Sequence, residues 1–493
     1  MRLHLITAED PLTLQARSRE LIRFPQLTMP LLAALTPDSW TVSHTDEITH
    51  TVDARPRYDL VGLTAATPGA PHAYELAEAY RAQGIPVVMG GPHASLHPYE
   101  VAEHVDLVVV GEAETLWPRV LQDVANEVHY PTGRRVLDPN TGANVEVLPH
   151  GARIYRQTTR EPLTGLPHAR RDLIRNGGWN QWWATRGAII ATRGCPYQCD
   201  YCTIPFIYPG ARQMRFRPVK EVIAEIAAIP DKGIVFWDDN IGANRPYAKQ
   251  LFRALAPFKR WWTSQTTMGV VHDDEFLRLA AESGCKALFI GLESVNQTSL
   301  SGVGKAHNRV SEYKRLLQRF HDYGIAVQAG IMFGFDQDGR DVFARTLDMM
   351  GEIGLDNATI SLAVPYPGTP FYNRLKAEGR IIDQDWRHYN GKTHVVYRPA
   401  RMTPDELMAG YEWTKLHFYS LGHIAKRMAQ SQTGLWWNVP RNIGYSLGVT
   451  GEVRARAQMH SDEFYAISSN SSIIGGLGHA SVSQEQDSAS RKG

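Results

Sequence analysis

Three of the chain's four cysteines fall within eight positions, in the stretch Ala191-Thr-Arg-Gly-Cys195-Pro-Tyr-Gln-Cys199-Asp-Tyr-Cys202. Whatever the chain folds into must hold this loop open and still. Spacers of three and two residues let each thiolate reach a different iron of a [4Fe-4S] cube, so Cys195, Cys199 and Cys202 are metal-ligand candidates and the fourth iron is left without a cysteine. Such an iron can take an exogenous ligand. A structural zinc site would want four ligands, usually as two separated pairs. The remaining cysteine, Cys285, lies far along the chain in an apolar, strand-like run and reads as a small buried hydrophobe. A disulfide framework belongs to cysteine-dense secreted chains, and four cysteines in 493 residues are the reverse.

Length gives a prior of about three domains, each able to bury a core. Lys plus Arg number 52 and Asp plus Glu 51, a formal charge of +1. Nothing here recruits a polyphosphate backbone, and no Lys/Arg-rich run offers a binding arm, so nucleic acid is not an expected partner. No stretch approaches about 18 consecutive apolar residues, so no transmembrane segment is expected. A cytoplasmic location is expected, since an exposed iron-sulfur site survives best in a reducing compartment.

From the start to about residue 125, short apolar runs alternate with amphipathic stretches. Leu3–Ile6, Trp40–Ser43, Leu60–Thr64, Val87–Met89 and Leu107–Val110 read as buried parallel strands, with helices over His72–Gln83 and Ala113–Val124. That alternation predicts a doubly wound, Rossmann-like α/β sheet, which binds ligands past the carboxyl ends of its strands. Those ends are small or polar: Thr64-Ala-Ala-Thr67, Gly90-Gly-Pro-His93 and Gly111-Glu-Ala-Glu114. Glycine there lets a large flat ligand approach the backbone, although glycines at strand ends also serve simply as turns.

Residues 126–184 carry turn signals with short strands between them and read as a connecting region. It ends in Asn176-Gly-Gly-Trp-Asn-Gln-Trp-Trp183, an aromatic cluster suited to a cavity wall or to an ordinary interface. From 185 to 375, Ala188–Ala191 leads into the cysteine loop and five further strand and helix units follow, which predicts a partial (β/α)6 barrel with its functional groups at the strand carboxyl ends. Those ends read Asp238-Asp-Asn240, Gly291-Leu-Glu-Ser294, Gly330-Ile-Met-Phe-Gly334 and Pro365-Tyr-Pro-Gly-Thr-Pro370. For Asp238 and Asp239 capping and turn formation compete with ligand binding. Residues 376–466 read as mostly helical, with Thr403 as an N-cap, and are placed to close the open side of the barrel. The Ser/Gly/Gln-rich segment 467–493 reads as a disordered tail.

The cysteine motif resembles the radical SAM signature, in which the open iron holds S-adenosyl-L-methionine (SAM). Val87–Gly111, with its GGPHAS and VVVGEAE segments, resembles the cobalamin-binding domain that precedes that motif in B12-dependent radical SAM enzymes. The resemblance covers roughly residues 1–430. It implies three cofactors: the [4Fe-4S] cluster, SAM and cobalamin. By the same resemblance SAM would meet Tyr201, Asp238, Asp239, Glu293, Ser294, Gly330, Gly334 and Pro365, and cobalamin would meet Thr64, Gly90, Gly91, His93, Gly111 and Glu112. An external electron donor such as flavodoxin or ferredoxin is implied too. One departure stands out. Where related domains carry the D-x-H-x-x-G motif that supplies a lower axial histidine, this chain reads Thr7-Ala-Glu-Asp-Pro11, so any bound cobalamin would lack that ligand.

In relatives with both domains the commonest activity is methylation of an unactivated carbon or phosphorus atom, each turnover releasing S-adenosylhomocysteine and 5′-deoxyadenosine. Carbon methylation of a small molecule is the reading the resemblance favours. An oxidoreductase or cyclase would release deoxyadenosine without matching S-adenosylhomocysteine, and a non-catalytic cofactor-binding sensor would release neither. The aromatic residues Trp386, Tyr389, Tyr411, Trp413, Phe418 and Tyr419 would suit a bulky apolar substrate, and equally an ordinary helical core.

Overall fold

The computed structural model of the chain describes residues 1–10, 14, 26–52, 57–137, 144–157, 160, 162–174, 186–207, 213–431 and 433–459. The first apolar run forms β1 (Arg2–Thr7), which lies between β2 (Thr41–Asp46) and β3 (Leu60–Thr64), both parallel to it. β4 (Val87–Gly90) and β5 (Leu107–Val110) extend the parallel sheet beyond β3. Helices α1 (Thr28–Ala34), α2 (Ala70–Arg81), α3 (Pro92–Leu96), α4 (Pro98–His104) and α5 (Leu116–Ala125) cover both faces. The period of two sorts neighbouring strand residues into two cores. Leu5, Val88 and Val109 pack with Leu32 of α1 and Trp117 of α5, whereas Ile6, Met89 and Val110 pack with Ala73 and Ala77 of α2. Burial on both faces is why the inner strands β4 and β5 are apolar along their length, whereas the half-buried edge strand β2 reads Thr-Val-Ser-His-Thr-Asp.

The segment read as a connector supplies β6 (Arg135–Leu137), β7 (Asn144–Val147) and β8 (Arg153–Arg156) to the same sheet. β8 pairs parallel with β5, and β7 and β6 follow antiparallel, giving the order β2-β1-β3-β4-β5-β8-β7-β6. Tyr155 of β8 is wholly buried and donates to Asp123 of α5, which anchors this added edge.

The second sheet begins at β9 (Ala188–Ile189). The antiparallel pair β10 (Thr192–Arg193) and β11 (Arg215–Phe216) frames the cysteine loop. β12 (Gly233–Phe236), β13 (Trp261–Thr266), β14 (Cys285–Glu293), β15 (Ala326–Phe333) and β16 (Asn357–Leu362) then add in sequence order, every pair parallel. Helices α6 (Val219–Ala228), α7 (Arg245–Leu255), α8 (Asp274–Glu282), α9 (Tyr313–Asp322) and α10 (Val342–Glu352) connect them. Six parallel strands in sequential order are the partial (β/α)6 barrel the alternation predicts. Local signals set the helix ends: Asn244 and Asp273 accept from the backbone N–H of Tyr247 and Phe276, capping α7 and α8, each worth about 1 kcal/mol. Cys285 sits buried in β14, as expected.

The C-terminal helices are α11 (Pro404–Phe418), α12 (Leu421–Gln430) and α13 (Leu435–Met459), and Thr403 and Glu406 form a reciprocal capping box at the start of α11. Leu407, Tyr411, Phe418 and Tyr419 lie in the same core as the barrel strands, so these aromatics are packing residues. Trp437 packs with Ala287, Ala326 and Trp261, near the start of β14, β15 and β13, and thereby covers the amino-terminal end of the barrel. Asp356, buried at the entry to β16, accepts from Ser431, Thr433 and Asn438 and meets His321 at 2.7 Å, binding this region to the barrel. No helix among the described residues is long and apolar enough to cross a membrane. The Trp179–Trp183 cluster and the expected tail from 467 lie outside the described residues.

Candidate active site

The cysteine loop leaves β10 and is held from below by the end of β12. Asp238 accepts from the Ala191 N–H and the Thr192 hydroxyl, each at 2.8 Å, and Asp239 accepts from the Gly194 N–H at 2.8 Å. Asn240 Nδ2 lies 4.0 Å from Cys195 Sγ, with its own oxygen fixed by the Thr266 hydroxyl. On the far side, the Asp200 N–H donates to the Val303 carbonyl and the Asp200 carbonyl accepts from Phe371 N–H. Gly304, with φ +74°, permits this contact, because a Cβ there would sit 2.7 Å from the Gln198 carbonyl oxygen. Three later parts of the chain, 238–240, 303–304 and Phe371, therefore clamp the stretch from 191 to 200.

Cys195, Cys199 and Cys202 are half-buried free thiols. Burial pushes all three upward, Cys202 to about 12; Cys195 and Cys202 also feel the charge of a neighbouring cysteine, whereas at Cys199 the Lys305 ammonium works against the rise. Thiols in that state need a nearby cation before they ionise, which iron supplies. Among the described residues no three His, Cys, Asp or Glu donors converge on one metal ion. A cube asks for something else, three thiolates spread over three irons, and three half-buried free thiols on one loop fit that demand.

β14 carries the acid of the site. A register shift against β15 between Gly291 and Glu293 bulges the strand, and Glu293 takes φ +69°, a left-handed conformation unusual for a side-chain-bearing residue. The bulge directs its carboxylate to Lys305, with which it forms a buried ion pair, and Lys305 Nζ lies 3.4 Å from the Tyr201 hydroxyl. Lys305 went unrecognised in the sequence. A lysine twelve residues past the strand, in a turn, gives no periodic signal, although a lone buried ammonium beside two of the three cysteines is a strong one in space.

The other expected SAM residues divide. Gly330 and Gly334 follow β14 around the barrel mouth, where a Cβ on Gly330 would meet the Phe289 ring at 2.8 Å and one on Gly334 the Tyr397 hydroxyl at 2.3 Å. Pro365 is buried just beyond β16. Asp238 requires a correction: it is wholly buried and both oxygens serve the cysteine loop, so it positions that loop and does not reach a ligand. Ser294 is likewise turned inward, its hydroxyl accepting from Asn296 N–H.

Between the two sheets lies a cavity of about 260 Å³. Thr64, Gly90, Gly91, Gly111 and Glu112 line it from the carboxyl ends of β3, β4 and β5, while Ile190, Arg193, Trp237 and Asp239 line it from the barrel. Gly91 has φ +94°, and a Cβ there would fall 2.3 Å from Thr64 Oγ1, so only glycine keeps this edge bare. The cavity continues inward as an apolar slot between the sheet and helices α1 and α5, past Leu5, Gly62, Val88 and Trp117. A bare backbone edge leading into a slot fits a flat macrocycle with a pendant arm. Among the described lining residues there is no histidine.

Two cobalamin expectations change. His93 is fully buried on α3, 2.9 Å from the Tyr74 hydroxyl and packed edge-on to Trp386, and it does not line the cavity. Glu112 lines it, yet its carboxylate is taken by Arg193, at 3.1 Å, and by Arg215, while Glu114 takes the other arm of Arg193. Burial opposes the charge on Glu114, but the Arg193 guanidinium prevails and holds its carboxyl below the usual range. This four-charge clasp joins the first sheet to the residues immediately before Cys195.

Family models match this architecture: residues 35–121 match the B12 binding domain and residues 189–368 the radical SAM superfamily. The chain thus belongs to the radical SAM enzymes that carry a B12-binding domain, and its cofactors are a [4Fe-4S] cluster, SAM and cobalamin. It is 27% identical to the bacteriochlorophyllide d C-12(1)-methyltransferase of Chlorobaculum tepidum, over 84% of this chain and 86% of that one. It is 23% identical to the hopanoid C-2 methylase of Rhodopseudomonas palustris, over 87% and 81%. The fold resembles TsrM, a radical SAM methyltransferase from Kitasatospora setae, with a TM-score of 0.55 at 18% identity over 76% and 75% of the two chains. It also resembles the cobalamin-dependent enzyme OxsB, at 0.65 and 14% over 96% and 78%.

Proposed function

We propose that this chain methylates an unactivated carbon atom of an apolar small molecule. The observation that carries the reading is a cavity bounded by the cobalamin-type strand ends on one side and by the cysteine-loop flank on the other. When bound, the cluster and SAM supply radical chemistry and the cobalamin supplies a transferable methyl group.

The chain's own residues do the placing. Cys195, Cys199 and Cys202 hold the cluster, and Asp238 and Asp239 fix the loop that carries them. The Lys305–Glu293 pair offers SAM two complementary handles: an ammonium for its carboxylate and a carboxylate for its ribose hydroxyls. Lys305 would gain a second anion and Glu293 two neutral donors while the ion pair between them persists, so neither charge is left buried and alone. The missing side chains of Gly330 and Gly334 make room for Phe289 and Tyr397, so that any contact with the adenine there would come from backbone. Trp237, 41% exposed at the end of β12, and Ile190 give the cavity an apolar wall that excludes water from the reacting centre. Electrons come from an external donor of the flavodoxin or ferredoxin kind, because Cys285 is the only further cysteine and is buried in a strand. A reducing cytoplasm suits this chemistry.

The test is anaerobic reconstitution with iron, sulfide and hydroxocobalamin. The reading expects about four irons and one cobalamin per chain, and expects Cys199→Ala to lose the cluster spectrum and SAM cleavage while keeping cobalamin. A chain that takes up no cobalamin defeats the methylation reading, and a Cys199→Ala variant with a full cluster defeats the ligand assignment.

A further inference from the structure

The outer surface of α12 and α13 carries almost no charge. It exposes Leu421, Ala425 and Ala429 on α12 and Trp436, Ile443 and Leu447 on α13, with Leu421 74%, Trp436 56% and Leu447 54% accessible. Trp436, Ile443 and Leu447 are seven and four residues apart, which keeps them within about 40° of one another around the helix axis. The Ser446 hydroxyl donates to the Tyr419 carbonyl at 2.8 Å, setting the start of α12 beside Leu447 and joining the two faces. α13 is therefore apolar on both sides. Trp437 and Val449 are buried against the barrel, while the opposite stripe is open to solvent among the described residues.

The charge that does occur has one sign. Lys426 is the only charged side chain among the exposed residues between 421 and 448, and no Asp or Glu occurs from 421 to 451. Of the basic residues in these helices, Arg427 and Arg441 are buried against the barrel, which leaves Lys426 as the charge this face presents among the described residues. A solvated helix face of this length ordinarily carries acids and bases together, and contiguous exposed apolar surface marks a docking site. An indole on an exposed apolar stripe, with a lysine and no acid on the same surface, is the composition of a helix lying in a lipid headgroup layer. A second copy of this face would offer Lys426 no acid to meet.

We propose that the α12–α13 face docks on a lipid bilayer that carries anionic headgroups. Trp436, Ile443 and Leu447 enter the headgroup boundary and Lys426 meets the lipid phosphates. Because Trp437 places α13 at the amino-terminal end of the barrel, docking leaves the opposite mouth and its cavity free. This inference stands independently of the methylation reading.

The experiment is sedimentation of the full-length protein with phosphatidylcholine vesicles, with and without phosphatidylglycerol, beside size-exclusion chromatography without vesicles. Sedimentation with the anionic vesicles, weakened by salt, is expected. Trp436→Glu and Leu447→Glu, with circular dichroism and thermal unfolding unchanged, should each weaken it by about tenfold or more. Equal sedimentation with neutral vesicles overturns the headgroup assignment. A wild-type dimer that Trp436→Glu dissociates would assign the face to a second copy, and failure to sediment with either vesicle would leave it to another occupant such as residues 460–493; both results overturn the proposal.

Discussion

Glu112→Gln puts the clasp between the two cofactor-binding sheets to a quantitative test. Glu112 accepts from Arg193 and Arg215, whose side chains are 15% and 12% exposed against 7% for the glutamate. Neutralising it leaves two guanidiniums sharing Glu114 alone, so the buried group changes from balanced to a net charge of about +1. Stranding a buried charge by removing its partner costs about 3–5 kcal/mol. The retained Glu114 places this case at the lower end, about 3 kcal/mol. The effect should not add to that of Arg215→Met. In the double variant no guanidinium is orphaned, and part of the loss returns as a coupling of about 1.5 kcal/mol or more. Urea unfolding of the four proteins measures it. If the single-variant losses add to within about 0.5 kcal/mol, the ion pairs do not hold the sheets together and the reasoning fails.

Three further outcomes follow from the site. Burial lifts the Asp238 carboxyl from 3.8 to about 7 against the pull of the Ala191 and Thr192 hydrogen bonds. A raised folded value means stability fully present below pH 3.8 and lost as pH rises towards about 7. Asp238→Asn should flatten that decline in the metal-free protein, and equal slopes for both proteins contradict the assignment. Lys305→Met should weaken SAM binding by tenfold or more in equilibrium dialysis while leaving iron content unchanged, the size expected for one charge-assisted hydrogen bond. Gly91→Ala should lower cobalamin uptake, read from its visible absorbance, since strain of about 1–3 kcal/mol at φ +94° adds to the collision with Thr64; undiminished uptake would remove the bare-edge argument.

What the sequence reveals and what it hides divide along physical lines. The cysteine loop is contiguous, and both sheets announce themselves through short apolar runs followed by amphipathic helices, so the doubly wound sheet and the partial barrel are legible. The strands of 135–156 are also visible as short strands, but nothing local says that β8 pairs with β5, a contact set by distant backbone hydrogen bonds. Asp238 reads as a strand-end acid either way, and only the fold shows it spending both oxygens on residues some 46 positions earlier. His93 follows two glycines and looks exposed to ligand, until a five-residue helix turns it into the interface with Trp386. The slot is assembled from α1, Gly62 and Trp117, which are scattered in sequence; Gly62, a glycine in mid-strand, was the available hint of close approach.

The central claim, that the cavity between the two sheets brings a methyl-carrying cofactor to the flank of the cysteine loop, is tested most directly with methyl-deuterated SAM. The reconstituted enzyme would be supplied with a reductant and a small-molecule extract, and nucleoside products and label incorporation measured together. The account expects 5′-deoxyadenosine and S-adenosylhomocysteine in equal amounts, with the deuterated methyl group on a carbon of an apolar product. Deoxyadenosine without S-adenosylhomocysteine, and without label in any product, would contradict it.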